Sequence, residues 1–181
     1  DWNGLMIAAL AKASRAFGEP VYAETAVAAA DFLLDELKDE NGRLLHRFRD
    51  GDAGIQATAD DYAFFIWGLI ELYETTFDVR YLEAALTFQD QMIEYFEDPI
   101  GGFFLTATDG EELIQRPKEI YDGALPSGNS VSMLNLLRLG RLTGSIRYEI
   151  LADATAMGLA SQVGRSPAAY VQFLSAVDFG I

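Results

Sequence analysis

The sequence predicts an all-α chain, an α/α toroid of helical hairpins that is incomplete over these 181 residues. Three observations predict it. First, a block recurs: Leu10 to Tyr22 reads LAKASRAFGEPVY, Leu69 to Tyr81 reads LIELYETTFDVRY, and Leu136 to Tyr148 reads LLRLGRLTGSIRY. The three Tyr residues lie 59 and then 67 positions apart, a spacing that marks an array of helical hairpins. Second, helices that are apolar on nearly every face alternate with amphipathic ones, which suits an inner and an outer ring. Third, turns from inner to outer helix are short (18–20, 78–80, 144–146), while returns from outer to inner are long (about 39–57 and 97–129).

The elements follow in order. Residues 2–17 form a buried inner helix stopped by Gly18-Glu19-Pro20, and that Pro opens an amphipathic helix over 20–38 with Val27, Phe32, Leu33 and Leu37 on one side. Asn41-Gly42 turns into a short β-ribbon over Arg43–Phe48, which ends at Asp50-Gly51. The order then repeats. An inner helix spans Thr58–Phe77, an amphipathic one Tyr81–Phe96, and a second ribbon runs over 101–106 before Asp109-Gly110. Ser130–Leu142 is the third inner helix, about 147–160 the third amphipathic one, and Pro167 begins a seventh helix. Residues 1–181 are therefore part of one toroid domain, about three and a half hairpins cut from a longer chain, with apolar faces exposed at its open edges.

Composition limits the function. Half of the residues are hydrophobic, enough to bury a core, and the longest apolar runs fall well short of the ~18 residues of a membrane span. A soluble, cytoplasmic protein is expected. The net charge of −15 repels nucleic acid phosphates and anionic membranes, so neither is an expected partner. With no Cys, one His, and no HExxH or EF-hand spacing, no metal site is expected, and no Gly-rich phosphate loop or GxSxG elbow suggests a cofactor or a serine nucleophile.

Long returns on a rigid scaffold house chemistry. They bring His46, Arg116, Lys118, Glu119, Tyr121 and Asp122 to one rim, beside the inner-helix starts that carry Trp2, Asn3, Asp60, Asp61, Tyr62, Ser127 and Asn129. The inner helices aim their N-terminal amides at the same mouth, which favours anionic or hydroxyl-rich ligands. Each residue has a structural reading beside the functional one. Asp60, Asp61, Ser127 and Asn129 also suit helix starts, and Gly123 and Gly128 suit turns. His46 could be a half-exposed ribbon residue, and Arg116 and Lys118 could hold the loop by pairing with Glu119 and Asp122.

Trp2-Asn3-Gly4-Leu5-Met6, Asp61-Tyr62-Ala63, Gly101-Gly102-Phe103-Phe104, Arg116-Pro117-Lys118 and, above all, Asp122 to Ser130 (DGALPSGNS) carry a resemblance. The chain resembles the C-terminal region of thioredoxin-domain-containing proteins related to spermatogenesis-associated protein 20. The resemblance implies a toroid similar to those of N-acylglucosamine 2-epimerases and six-hairpin glycosidases, with an upstream thioredoxin-like domain as intramolecular partner. That domain, its Cys pair and the later helices of the family lie outside these 181 residues. A sugar ligand is the substrate class implied. Asp61 and Asp122 are the expected catalytic carboxylates of a glycosidase-like site. Trp2, Asn3, His46, Tyr62, Arg116, Lys118 and Asn129 are its expected substrate-binding residues, with no metal and no cofactor. An epimerase-like site would use His46 as base. The alternative is a non-catalytic scaffold or partner-binding module in which the DGALPSGNS loop acts as a latch.

Overall fold

The computed structural model describes residues 1–181 as two compact units, Asp1–Gln91 and Met92–Ile181. The first unit contains α1 (Trp2–Phe17), α2 (Pro20–Glu36), the hairpin β1 (Leu45–Arg49) and β2 (Asp52–Gln56), α3 (Ala59–Thr76) and the first part of α4 (Val79–Phe96). The second contains the end of α4, α5 (Gly128–Thr143), α6 (Ile146–Arg165), a 3₁₀ turn (Pro167–Ala169) and α7 (Val171–Gly180). Pro167 thus opens a single tight turn, and the seventh α-helix starts at Val171.

Helix boundaries follow local chemistry. Gly18 and Gly144 end α1 and α5 in the left-handed conformation, as expected of a residue without Cβ. Phe77 adopts the same conformation after α3, at φ 57°. Pro20 begins α2, and Ser127 caps α5 by accepting the Ser130 amide.

In the first unit α1 packs on α2 and α3. Gly4 and Gly68 allow the close approach: a Cβ on Gly4 would sit 2.5 Å from the Phe64 carbonyl carbon, and one on Gly68 2.9 Å from the Gly4 oxygen. α3 buries Tyr62 through Ile66 and Leu69, Ile70 and Leu72. α4 covers α3 and α2 through Phe88, whose ring meets Tyr62 and Phe65, and through Tyr81, whose hydroxyl donates to Asp31 at 3.0 Å. Burial and the Asp31 carboxylate together push the Tyr81 phenol up to about 12. α1 differs from its prediction: only Gly4, Ile7, Ala8 and Ala11 are buried, and Trp2, Met6 and Phe17 face solvent, because its neighbours α2 and α3 cover one side. Leu69 and Leu136 are fully buried in α3 and α5, while the equivalent Leu10 is half-buried.

In the second unit α5 packs on α6 and α7 and buries Leu136, Leu137 and Leu139. The apolar faces of α6 and α7 contribute Ala152, Leu159, Phe173 and Ala176 to this core.

The predicted repeat extends beyond the helices into the returns. Asp39 accepts the Asn41 amide on its carboxylate, and Asp98 accepts the Ile100 amide, each at 2.9 Å. Bridges Lys38↔Leu44 and Glu97↔Phe103 follow, again 59 residues apart. The first return continues into a true ribbon, with Leu45 opposite Gln56 and Arg49 opposite Asp52, closed by Asp50 and Gly51 at positive φ. The second predicted ribbon is only the bridge at Phe103, because Leu105 donates instead to the Pro117 carbonyl.

Candidate functional site

Asp61 lies one turn into α3 and is 3% exposed. Its Oδ2 accepts the amide and hydroxyl of Thr58 at 2.8 and 2.9 Å, the N-terminal half of a capping box. Its Oδ1 accepts the backbone nitrogen of Asp1 at 2.8 Å, and both oxygens lie 3.0 Å from His46 Nδ1. Burial alone would raise this carboxyl. The Thr58 amide and the His46 hydrogen bond act in the opposite direction and favour the ionised form. An ionised carboxylate only accepts, so Nδ1 of His46 carries the hydrogen and Nε2 is left to face outward. His46 stands on β1 opposite Ile55, whose φ of 66° is strained for a β-branched residue and interrupts the ladder at that point. A cavity of about 30 Å³, room for roughly one water, is lined by Asp1, Asn3, Leu45, His46, Asp61 and Phe65. Trp2, beside Asp1 and Asn3, leaves 71% of its surface exposed.

Tyr62, the next residue on α3, is turned inward. Its hydroxyl accepts the Leu44 amide and donates to Gln91 Oε1, both at 3.1 Å, and burial raises its phenol. Asn129 occupies the equivalent position of α5, 67 residues on, and does the same work on the equivalent strand residue. Its Oδ1 accepts the Phe103 amide at 2.7 Å, and its Nδ2 donates to the carbonyls of Phe103 and Glu119 at 2.9 and 2.7 Å. Gly102 makes room for that amide, since a Cβ there would lie 2.6 Å from Asn129 Oδ1. Tyr62 and Asn129, both expected to bind substrate, are thus committed to backbone.

The remaining second-unit residues are committed too. Asp122 accepts the Ser127 amide at 2.9 Å and, through its other oxygen, the Gln172 and Phe173 amides at 2.9 and 3.1 Å. It closes the first turn of α7 and ties the loop to it. The expected pairing of Arg116 and Lys118 with Glu119 and Asp122 does not form. Lys118 instead pairs with Asp98 at 2.5 Å and donates to the Gly101 carbonyl at 2.6 Å. Burial would raise the Asp98 carboxyl, but Lys118 and the Ile100 amide hold it down. Arg116 donates to the Thr106 and Tyr95 carbonyls and lies over the Phe104 ring; burial lowers its guanidinium. Gly123 and Gly128 keep negative φ, so neither is needed for a left-handed turn. Ser127 takes the Ser130 amide of α5, and Asp122 takes the Gln172 and Phe173 amides of α7, so those three amides are not open to an anion. Asp98 and Thr58 escaped the sequence reading. The D-x-x-G shared by Asp39–Gly42 and Asp98–Gly101 was the available signal for Asp98, and the T-x-x-D of Thr58–Asp61 for Thr58.

Over 154 residues the chain is 39% identical to mouse spermatogenesis-associated protein 20, a match covering 79% of this chain and 20% of that protein; the human protein is 38% identical over the same length. The chain is homologous to part of spermatogenesis-associated protein 20. An uncharacterized Caenorhabditis elegans protein is 31% identical over 177 residues, 93% of this chain and 24% of that protein. The chain thus spans about a fifth to a quarter of the length of the curated relatives it matches. No family model matches it. Among solved structures, a GH76 α-mannanase of Bacteroides thetaiotaomicron superposes with a TM-score of 0.70 at 23% identity, over 88% of this chain and 43% of that one. The likeness establishes the fold class as the helical-hairpin toroid of six-hairpin glycosidases. No helix is long and apolar enough to cross a membrane.

Proposed function

We propose that the first unit carries a sugar-directed site in which His46 exchanges a proton with a bound carbohydrate and Asp61 positions its imidazole. One observation carries this reading: the only imidazole in the sequence is held through Nδ1 by a buried carboxylate, with its other nitrogen free for an incoming hydroxyl or C–H. The small cavity beside the pair accepts one hydroxyl group and not a sugar ring. The ring therefore lies outside it, against the exposed Trp2 indole, whose flat apolar face suits a pyranose. The expected role of Asp61 changes accordingly: with its oxygens occupied by Thr58, Asp1 and His46, it orients the imidazole without touching substrate.

The α-mannanase that shares the fold makes α-mannosides the first ligands to test, followed by N-acylated hexosamines. A single His gives a single imidazole Hε1 resonance, so binding is read directly by NMR titration. A saturable shift of that resonance, lost in Trp2→Ala, supports the site. Turnover that falls in His46→Gln, and whose pH profile moves in Asp61→Asn, assigns the proton transfer. If no sugar in the panel moves the resonance, the proposal is wrong.

The scaffold reading has its own support in the second unit. There Asp122, Asn129, Arg116 and Lys118 are all engaged by the chain itself. On that reading the loop 118–130 is a latch, and the partner of the scaffold would be the upstream thioredoxin-like domain that the family resemblance implies.

A further inference from the structure

The first unit has a second cleft, of about 290 Å³, between the end of α2, the turn that follows it and α4, and neither His46 nor Asp61 lines it. That volume is close to the ~300 Å³ lower end of small-molecule pockets. We infer that the cleft binds a small organic carboxylate, whose charged end meets Lys38 and Asn41 and whose apolar body lies on Leu34, Ala84 and Phe88. The inference stands apart from the sugar-directed reading of His46.

The polar groups around the cleft divide into committed and free. Gln91 is committed: its Nε2 donates to the Gly42 carbonyl and its Oε1 accepts the Tyr62 hydroxyl, both at 3.1 Å. Thr87 donates its hydroxyl to the Glu83 carbonyl at 2.9 Å. The turn itself is fixed from within, since the Asp39 carboxylate accepts the Asn41 and Arg43 amides at 2.9 Å and the Asp39 carbonyl accepts the Gly42 amide at 3.0 Å. Asn41 therefore stands on a rigid support. The Lys38 ammonium and the Asn41 carboxamide, in contrast, make no hydrogen bond or ion pair within the chain. Both line the cleft, and a ligand that enters it finds its donors already in place.

Charge and the internal repeat describe the ligand. No acid lines the cleft, although the chain carries 28 Asp and Glu against 13 Lys and Arg. One ammonium with one carboxamide matches a single carboxylate, whereas a phosphate dianion needs more donors than these two side chains offer against a net charge of −15. The apolar walls require that the acid carry a hydrocarbon body, along which the Lys38 stem can also lie. The repeat serves as an internal control. At the 59-residue spacing, Lys38 and Asn41 correspond to Glu97 and Ile100 beside the second aspartate turn. That turn makes the same carboxylate-to-amide contact and the same bridge without them. The turn needs neither a cation nor a carboxamide at these positions, so their presence in the first unit is explained by what the cleft receives.

The probe is phenylpropanoate, and phenylpropanol is its uncharged counterpart. In amide-correlation NMR spectra of the isotope-labelled protein at low salt, the acid is expected to give saturable shifts of the Asn41 side-chain NH₂ and of the Gly42 and Thr87 amides. The alcohol should bind about tenfold more weakly, the loss expected for one hydrogen bond to a charged group. Lys38→Met keeps the stem and removes the charge at an exposed, unpaired position, so the fold is retained and acid binding should fall about tenfold to the level of the alcohol. Asn41→Ala should weaken the acid without changing the alcohol. Melting curves check that both variants remain folded. Absence of saturable shifts, equal affinity for acid and alcohol, or acid binding indifferent to Lys38→Met would each overturn the inference, whatever the sugar titration of His46 shows.

Discussion

Asp122→Asn separates a strut from a ligand-facing carboxylate. In the wild type one oxygen holds the Ser127 amide and the other holds the Gln172 and Phe173 amides, so every contact is a donor pointing at an acceptor. Asparagine has nearly the same shape, but its NH₂ must replace one of those oxygens and face a donor. If the remaining oxygen stays on α7, the Ser127 bond is lost; if it stays on Ser127, two α7 amides lose their acceptor. A hydrogen bond to a charged group contributes ~1.5–3 kcal/mol. A negative charge at a helix N-terminus adds ~0.3–1 kcal/mol. Because Asp122 is only half-buried, values near the lower end apply, and the net cost is about 2–3 kcal/mol. At this chain length each kcal/mol moves Tm by ~2–4 °C, so the variant should melt about 4–12 °C lower. Thermal unfolding by circular dichroism measures this, hydrogen exchange should show the loss concentrated in α7, and the His46 resonance should respond to sugar as before. An unchanged Tm with sugar binding abolished would refute the reasoning and return Asp122 to the ligand.

Asn129→Ala removes three hydrogen bonds, two of them buried, and leaves the Phe103 amide unpaired, which should cost about 3–4 kcal/mol in a denaturant titration, whereas Tyr62→Phe, which loses the acceptor for the Leu44 amide, should cost about 1–3 kcal/mol. Lys118→Met leaves Asp98 without its counter-charge; because Lys118 remains one-fifth exposed, the expected loss at pH 7 is about 2–3 kcal/mol, below the ~3–5 kcal/mol of a fully buried pair. The Asp98 carboxyl is depressed from 3.8 in the fold, so its contribution is present above the unfolded value and disappears as pH falls through the folded one. Urea midpoints for wild type and Lys118→Met should therefore converge below about pH 4. Gly4→Ala forces a methyl into the Phe64 backbone and should cost about 1–3 kcal/mol or more by spreading α1 from α3, measured by chemical unfolding.

The helices were legible because burial writes itself as periodicity, and the 59- and 67-residue spacings fixed their order. The hairpin around Asp50-Gly51 was half legible: the turn and β1 carry a signal, but β2, DAGIQ, has two small residues and Ile55 at positive φ, so no alternation marks it. Burial of α1 was overestimated, because an apolar composition does not say how many neighbours a helix has. Among the candidate residues, the helix-start reading won for Asp61 and Ser127, where spacing alone specifies a capping contact. The partner of Lys118 was out of reach, since it lies 20 residues away across an irregular loop that no periodic pattern describes. Likewise, nothing in HRFR announces that His46 turns its Nδ1 to a carboxylate 15 residues on.

A phenol at Tyr62 and a carboxamide at Asn129 grip the same amide of successive returns, each just after an identical aspartate turn. Each return thus has a fixed origin and a free extent: the stretch from α2 to α3 and the longer one from α4 to α5 depart from the same anchored point and differ only beyond it. Insertions accepted downstream of that point leave the helices in place, so this architecture can vary its loops as interchangeable cassettes plugged into a constant socket. Transplanting residues 46–56 into the position after Phe104 would be the direct way to use it.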